Sequence, residues 1–237
     1  MGTIGVLTSG GDAPGMNAAV RAVVRVAAQK GLRVVGWLDG YDGLVDGRAR
    51  ELTRDTAAGP RPIDAVDEVL CRGGTFLGSA RSTRFRTPDG RAAAARHLRG
   101  HEGLVVLGGD GSLTGAHRLA AEDGARVIGI PASIDNDIGC TAMALGVDTA
   151  LNTIVQACDR IADTAGSHRR AFVVEVMGRR SGYLAMASAV ACGADGVLVP
   201  EDGRTEESVV AALETLVRDG FAPGRDKKRL LMVSTLS

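Results

Sequence analysis

Leu104-Val105-Val106-Leu107-Gly108-Gly109-Asp110-Gly111-Ser112 joins four apolar strand formers to a glycine-rich turn, and a helical pattern follows. That order sets a helix N-terminus, with its unpaired N–H groups, at a strand end where glycines let the backbone approach a polyphosphate. Asp110 stands in the turn, where its carboxylate can hold a magnesium ion. The next apolar run, Val127-Ile128-Gly129-Ile130-Pro131, is followed by Ser133-Ile134-Asp135-Asn136-Asp137. Two carboxylates therefore stand at the next strand end, the edge at which open parallel sheets bind ligands, and one of them can take a proton from an alcohol. Taken singly, the glycines read as a tight connection and Asp135-Asn136-Asp137 as turn chemistry. Their conjunction points to phosphoryl transfer.

Working outward, candidate strands at 3–8, 33–38, 104–107, 126–130, 171–176, 196–199 and 229–234 alternate with helical patterns, the βαβ layout of a mainly parallel sheet. The first strand opens through the turn Ser9-Gly10-Gly11-Asp12-Ala13-Pro14-Gly15 onto an apolar-periodic helix from Met16 to Gln29. The expected fold is α/β, with two Rossmann-like three-layer α/β/α lobes, residues 1–143 and 144–237, the second incomplete. The boundary is set in the small, glycine-bearing stretch from Gly139 to Gly146, ahead of a long helix from Asp148 to Thr164. The polar, arginine- and glycine-rich stretch from Asp39 to Pro62 interrupts the alternation and reads as a surface excursion.

Apolar residues make up 45% of the chain, and 28 basic side chains balance 28 acidic ones. Zero net charge gives no general attraction to nucleic acid or an anionic membrane, so anion binding must come from local arginines. No apolar run approaches a membrane span and no charged-then-apolar signal opens the chain, so a cytoplasmic location is expected. Cys71, Cys140, Cys158 and Cys192 lack metal-ligand spacing and read as reduced packing thiols in structured segments.

The stretches Leu7 to Ala19, Arg72-Gly73-Gly74-Thr75-Phe76-Leu77-Gly78-Ser79-Ala80-Arg81, Gly108 to Ser112, Ile134 to Asp137 and Val174-Glu175-Val176-Met177-Gly178-Arg179 occur in the order seen in 6-phosphofructokinases. The chain resembles that family from residue 1 to its C-terminus. The resemblance implies a nucleotide-binding first lobe, a sugar-phosphate-binding second lobe, and transfer of the ATP γ-phosphoryl group to the C1 hydroxyl of fructose 6-phosphate with Mg2+. Asp110 resembles the magnesium-ordering carboxylate. Gly11, Arg81, Ser82, Gly109, Gly111 and Ser112 resemble the ATP site, with Arg81 bridging the nucleotide phosphates. Asp135 resembles the general base and Asp137 its ordering neighbour; two close carboxylates raise one pKa, which suits a base. Sugar recognition falls on Ser133, Ile134, Met177, Gly178 and Arg179. Arg170 resembles an arginine that reaches a neighbouring subunit's 6-phosphate, which implies a homo-oligomer, a tetramer by analogy.

Pyrophosphate-dependent relatives tend to carry Asp where this chain has Gly111 and Lys where it has Ala132; two small residues favour ATP and keep pyrophosphate as the alternative. Arg21 and Arg25, four apart on one helix face, resemble with Arg54, Asp195, Arg225, Lys227 and Lys228 a nucleotide effector site. The family continues well beyond position 237, and its substrate-binding Glu aligns with Leu236. A fragment of an ordinary enzyme, a form closed by another chain and a non-catalytic nucleotide-binding subunit are all compatible with that alignment.

Overall fold

A computed structural model describes residues 1–223 and 230–235. They divide into two compact units, Met1–Ser133 with Ile138–Gly146 and Ile134–Asp137 with Val147–Ser237.

The first unit runs β1 (Thr3–Ser9), α1 (Met16–Gln29), β2 (Arg33–Trp37), α2 (Tyr41–Asp46), β3 (Ala49–Glu51), β4 (Thr53–Thr56), β5 (Gly59–Pro62), α3 (Asp64–Glu68), α4 (Pro88–His97), β6 (Gly103–Gly108), α5 (Asp110–Asp123) and β7 (Val127–Pro131). Its main sheet has the order β3-β2-β1-β6-β7, parallel except for β3. Successive strand side chains point to opposite faces, and the core divides accordingly. On one face Val6 and Leu107 pack with Val20, Val24 and Ala27 of α1. On the other, Leu7, Leu104 and Val106 pack with Tyr41, Leu44, Phe85 and Leu119.

Register then fixes the functional edge. Ser9 pairs with Gly108 and Gly108 with Pro131, so three strands end in one row. The chain reaches β2 on one side of β1 and β6 on the other, a reversal of strand order of the kind at whose carboxyl ends open parallel sheets bind ligands. The turns after Ser9 and after Gly108 flank it.

The stretch from Asp39 to Pro62 is more ordered than its composition suggests. It supplies α2, the antiparallel edge strand β3 and the hairpin β4–β5. Tyr41, Leu44, Val45 and Leu52 are buried, and the first three recur at the helical spacing of one face. The surrounding charged residues mask that stripe.

The second unit contains α6 (Val147–His168), β8 (Ala171–Glu175), α7 (Tyr183–Cys192), β9 (Gly196–Leu198), α8 (Glu206–Gly220) and β10 (Leu230–Ser234). The sheet order is β8-β10-β9, all parallel. Although last in the chain, β10 is the middle strand; Glu175, Ser234 and Leu198 align across its carboxyl end. Among the described residues no helix is long and apolar enough to cross a membrane.

Candidate active site

In the first unit the loop 72–80 is tied to the start of the chain by side chains inside two turns. Asn17 on α1 accepts from Phe76 N–H at 2.8 Å and donates to the Arg72 carbonyl at 3.0 Å. The Thr8 hydroxyl donates to the Gly78 carbonyl at 2.8 Å and meets the Thr75 hydroxyl at 2.7 Å. Gly10 N–H donates to the Ala80 carbonyl at 3.3 Å, and the Ser79 hydroxyl donates back to the Gly10 carbonyl at 2.7 Å. Arg81, exposed, therefore follows a backbone pinned beside Gly10 and Gly11. None of Thr8, Asn17 and Thr75 stands out in sequence as a site residue, because each acts by holding backbone.

Ser112 is buried, and its hydroxyl donates to the Ser9 carbonyl at 3.0 Å, fastening α5 to the end of β1. Space is so short there that a Cβ on Gly108 would stand 2.5 Å from the Ser9 carbonyl oxygen and 2.7 Å from Ser112 Cβ. Gly11 and Gly111 are different: a Cβ on either meets nothing within 4 Å. Both are exposed, so internal packing does not explain their being glycine. Ser82, by contrast, is buried; its hydroxyl bonds to Asp42 and accepts Phe85 N–H at 3.1 Å, just ahead of the short turn Arg84–Arg86.

Asp110 is the exposed first residue of α5, whose N-cap, Gly109, makes no side-chain cap. The helix N-terminus favours a negative group there. Among the described residues no three His, Cys, Asp or Glu cluster as a metal cage. One carboxylate beside an open phosphate cradle fits magnesium, which takes one or two protein carboxylates and completes its shell with phosphate oxygens and water.

In the second unit, Ile134–Asp137 and the loop Met177-Gly178-Arg179 carry the charged groups. The Asp135 carboxyl is held above the ordinary carboxylate range, by burial first and then by the Asp137 charge, with the Arg179 guanidinium opposing both. Both neighbouring charges therefore act on Asp135. Asn136 and Arg179 have φ of 51° and 55°, left-handed conformations that bulky residues adopt only under constraint. Met177 is 73% exposed, leaving a large apolar side chain available for contact. Gly178 has no room for a side chain, since a Cβ would collide with the Ser181 carbonyl oxygen. Close by, the buried Ser234 and Thr235 hydroxyls have no hydrogen-bond partner among the described residues. Ser133 belongs to the first unit, its N–H donating to the Leu145 carbonyl at 3.2 Å. Arg170 is exposed in the short connection between α6 and β8.

Of the expected anion site, Arg21 and Arg25 share the Asp67 carboxylate at 2.8 and 2.9 Å and hold its pKa down. Arg54 pairs with Asp64 at 3.3 Å. Asp195 lies just before β9. Arg225, Lys227, Lys228 and Leu236 lie outside the described residues.

A family model described as phosphofructokinase matches residues 3–235. The chain belongs to the phosphofructokinase family. It is 53% identical over 203 residues to an ATP-dependent 6-phosphofructokinase of Thermotoga neapolitana, covering 85% of this chain and 61% of that protein. A Vibrio cholerae protein of the same name is 48% identical over 224 residues, covering 94% of this chain and 66% of its own length. The chain thus spans about two thirds of the length of these phosphofructokinases. The solved phosphofructokinase of Saccharomyces cerevisiae superimposes with a TM-score of 0.85 at 36% identity, over 99% of this chain and 34% of that one. A pyrophosphate-dependent phosphofructokinase from Marinobacter aquaeolei shares the fold, with a TM-score of 0.80 at 21% identity over 99% of this chain and 60% of that one.

Proposed function

We propose that the protein is an ATP-dependent 6-phosphofructokinase, moving the γ-phosphoryl group of ATP to the C1 hydroxyl of fructose 6-phosphate. The observation that carries the kinase reading is the pair of exposed glycines, Gly11 and Gly111, facing open space beside Asp110 at a reversal of strand order. Phosphoryl transfer asks the protein for in-line positioning and charge neutralisation rather than covalent chemistry. Gly11, Gly109 and Gly111 line the phosphate cradle, Ser112 braces it, and Arg81 meets the nucleotide phosphates. Bound at Asp110, Mg2+ supplies further neutralisation of phosphate charge. Asp135 takes the proton of the sugar hydroxyl; its raised pKa makes it a better acceptor than an ordinary carboxylate. Burial and then the Asp137 charge raise that basicity, and Arg179 lowers it. Ser133, Ile134, Met177, Gly178 and Arg179 bind the sugar phosphate.

The donor preference rests on Gly111 and Ala132, which offer neither the carboxylate nor the ammonium that suits pyrophosphate. A cytoplasmic homo-oligomer, a tetramer, is the expected assembly, with Arg170 reaching the neighbouring site. Arg21, Arg25, Arg54, Asp195, Arg225, Lys227 and Lys228 form an effector site in the same reading. Following ADP release from the purified protein with and without fructose 6-phosphate tests the activity. Sugar-dependent release with ATP supports it. Sugar bisphosphate formed only with pyrophosphate, with orthophosphate as the by-product, reassigns the donor, and nucleotide binding without turnover indicates a non-catalytic subunit.

A further inference from the structure

After β1 ends at Ser9 the chain turns through Gly10 and Gly11, with φ of 91° at Gly10. A peptide between two glycines turns over easily, because a flip changes ψ of the first residue and φ of the second, and neither carries a Cβ to restrict it. Here the peptide has a fixed partner. The Ser79 hydroxyl donates to the Gly10 carbonyl at 2.7 Å, and the Gly10 N–H donates to the Ala80 carbonyl at 3.3 Å. The peptides on both sides of Gly10 Cα are therefore held by one loop. That loop is itself fixed: Thr8 holds the Gly78 carbonyl, and the Asp39 N–H donates to the Leu77 carbonyl at 2.8 Å. Its head is anchored by Asn17 and not by Cys71, which is exposed, like Cys140, rather than packed as expected. A planar trans peptide points its C=O and the following N–H in opposite directions. With the Gly10 carbonyl turned toward Ser79, the Gly11 N–H is turned away from it, and among the described residues that N–H has no acceptor. Gly11 is exposed, with nothing within 4 Å of where a Cβ would stand.

The geometry points to Ser79 as the positioning residue that aims the Gly11 N–H at the nucleotide phosphates, an inference that rests on the proposed kinase reading. The Ser79 hydroxyl does not touch the nucleotide; it selects one of two orientations of the Gly10-Gly11 peptide. In the selected one a phosphate oxygen meets a donor already in place, so binding carries no cost of turning the peptide. In the other, the Gly10 carbonyl oxygen faces the phosphate and repels it. Ser79 also stands two residues before Arg81. One hydroxyl thus ties the donor amide to the segment that carries the arginine proposed to meet the same phosphates. The selection has the strength of one ordinary hydrogen bond, so its loss should weaken Mg-ATP binding about threefold to tenfold.

The test uses the whole chain labelled with nitrogen-15 glycine, the Gly11 amide being assigned by its absence in Gly11→Ala. In the wild-type protein Mg-ATP should move the Gly11 amide proton downfield as the N–H to phosphate bond forms. Ser79→Ala should weaken Mg-ATP binding by the factor above, read by isothermal titration. Its free Gly11 amide should leave the wild-type position, because two orientations are then averaged, and saturating Mg-ATP should return it to the wild-type bound position. Ser79→Thr keeps the hydroxyl and should restore both affinity and signal. A wild-type Gly11 amide that does not respond to bound Mg-ATP overturns the inference and leaves the kinase reading standing. So does Ser79→Ala with wild-type affinity, or with a Gly11 signal displaced equally with and without nucleotide, the mark of a fixed distortion. A wild-type protein that binds no Mg-ATP overturns both readings.

Discussion

The Tyr41 hydroxyl donates a 2.7 Å hydrogen bond to the Ser112 carbonyl, joining α2 to the first turn of α5. The ring is buried and stacks on Phe85 with centroids 3.7 Å apart and planes 7° from parallel. An aromatic from the stretch that composition marks as surface thus braces the first turn of α5. Tyr41→Phe keeps the stacking and removes only the bond. It should lower unfolding free energy by about 0.5–1.5 kcal/mol, read from urea denaturation. An unchanged midpoint and slope would mean that the bond contributes nothing.

The glycines of the cradle should separate into two classes under Ala substitution. Gly108→Ala places a methyl 2.5 Å from the Ser9 carbonyl oxygen and should cost about 1–3 kcal/mol of stability. Gly111 lies inside α5 with open space around it, so Gly111→Ala should stabilise the helix by about 0.5–1 kcal/mol. The same substitution should weaken ATP binding by filling the cradle. Calorimetry of unfolding and of nucleotide titration reads both effects. A Gly111→Ala protein that is more stable and binds ATP normally would move the phosphates elsewhere.

The alternation of strands and helices was legible because buried parallel strands are short apolar runs ending in glycine or proline, as at Leu104–Gly108 and Val127–Pro131. The carboxyl-end location of Asp110 and Asp135 followed from the same runs. One kind of information was not legible. Thr8, Asn17, Ser79 and Tyr41 act through backbone carbonyls and amides far away in sequence, and no local pattern reports such pairings. The proposed roles of Arg81, Met177 and Arg179 rest on the motif order, since nothing local distinguishes them from solvated loop residues.

Magnesium should tighten ATP binding only while Asp110 is present. Asp110→Asn keeps the shape of the side chain and removes its charge. With the wild-type protein, chelating the metal should weaken ATP binding; with Asp110→Asn, affinity should be low and nearly indifferent to the metal. Isothermal titration in four combinations of protein and metal decides this. Equal metal dependence in both proteins would assign the ion to other ligands.

The last prediction concerns the sign of three charges at Asp135. Burial and Asp137 raise its pKa, and Arg179 lowers it. A base must be ionised, so turnover should fall as pH drops through that raised pKa, giving an acid limb above the position of an ordinary aspartate. Removing the opposing cation with Arg179→Gln should move the Asp135 titration to higher pH. Removing the like charge with Asp137→Asn should move it to lower pH. Carbon-13 chemical shifts of the aspartate carboxyls read the titration directly, independent of any loss of sugar binding that accompanies the loss of Arg179. Asp135→Asn should abolish the assigned signal and lower turnover by roughly 10² or more. If Asp137→Asn instead raised the Asp135 pKa, the two carboxylates would not be acting as repelling neighbours. If turnover survived Asp135→Asn at a near-normal rate, the proton would be passing to another group, with Asp137 the nearest carboxylate in sequence.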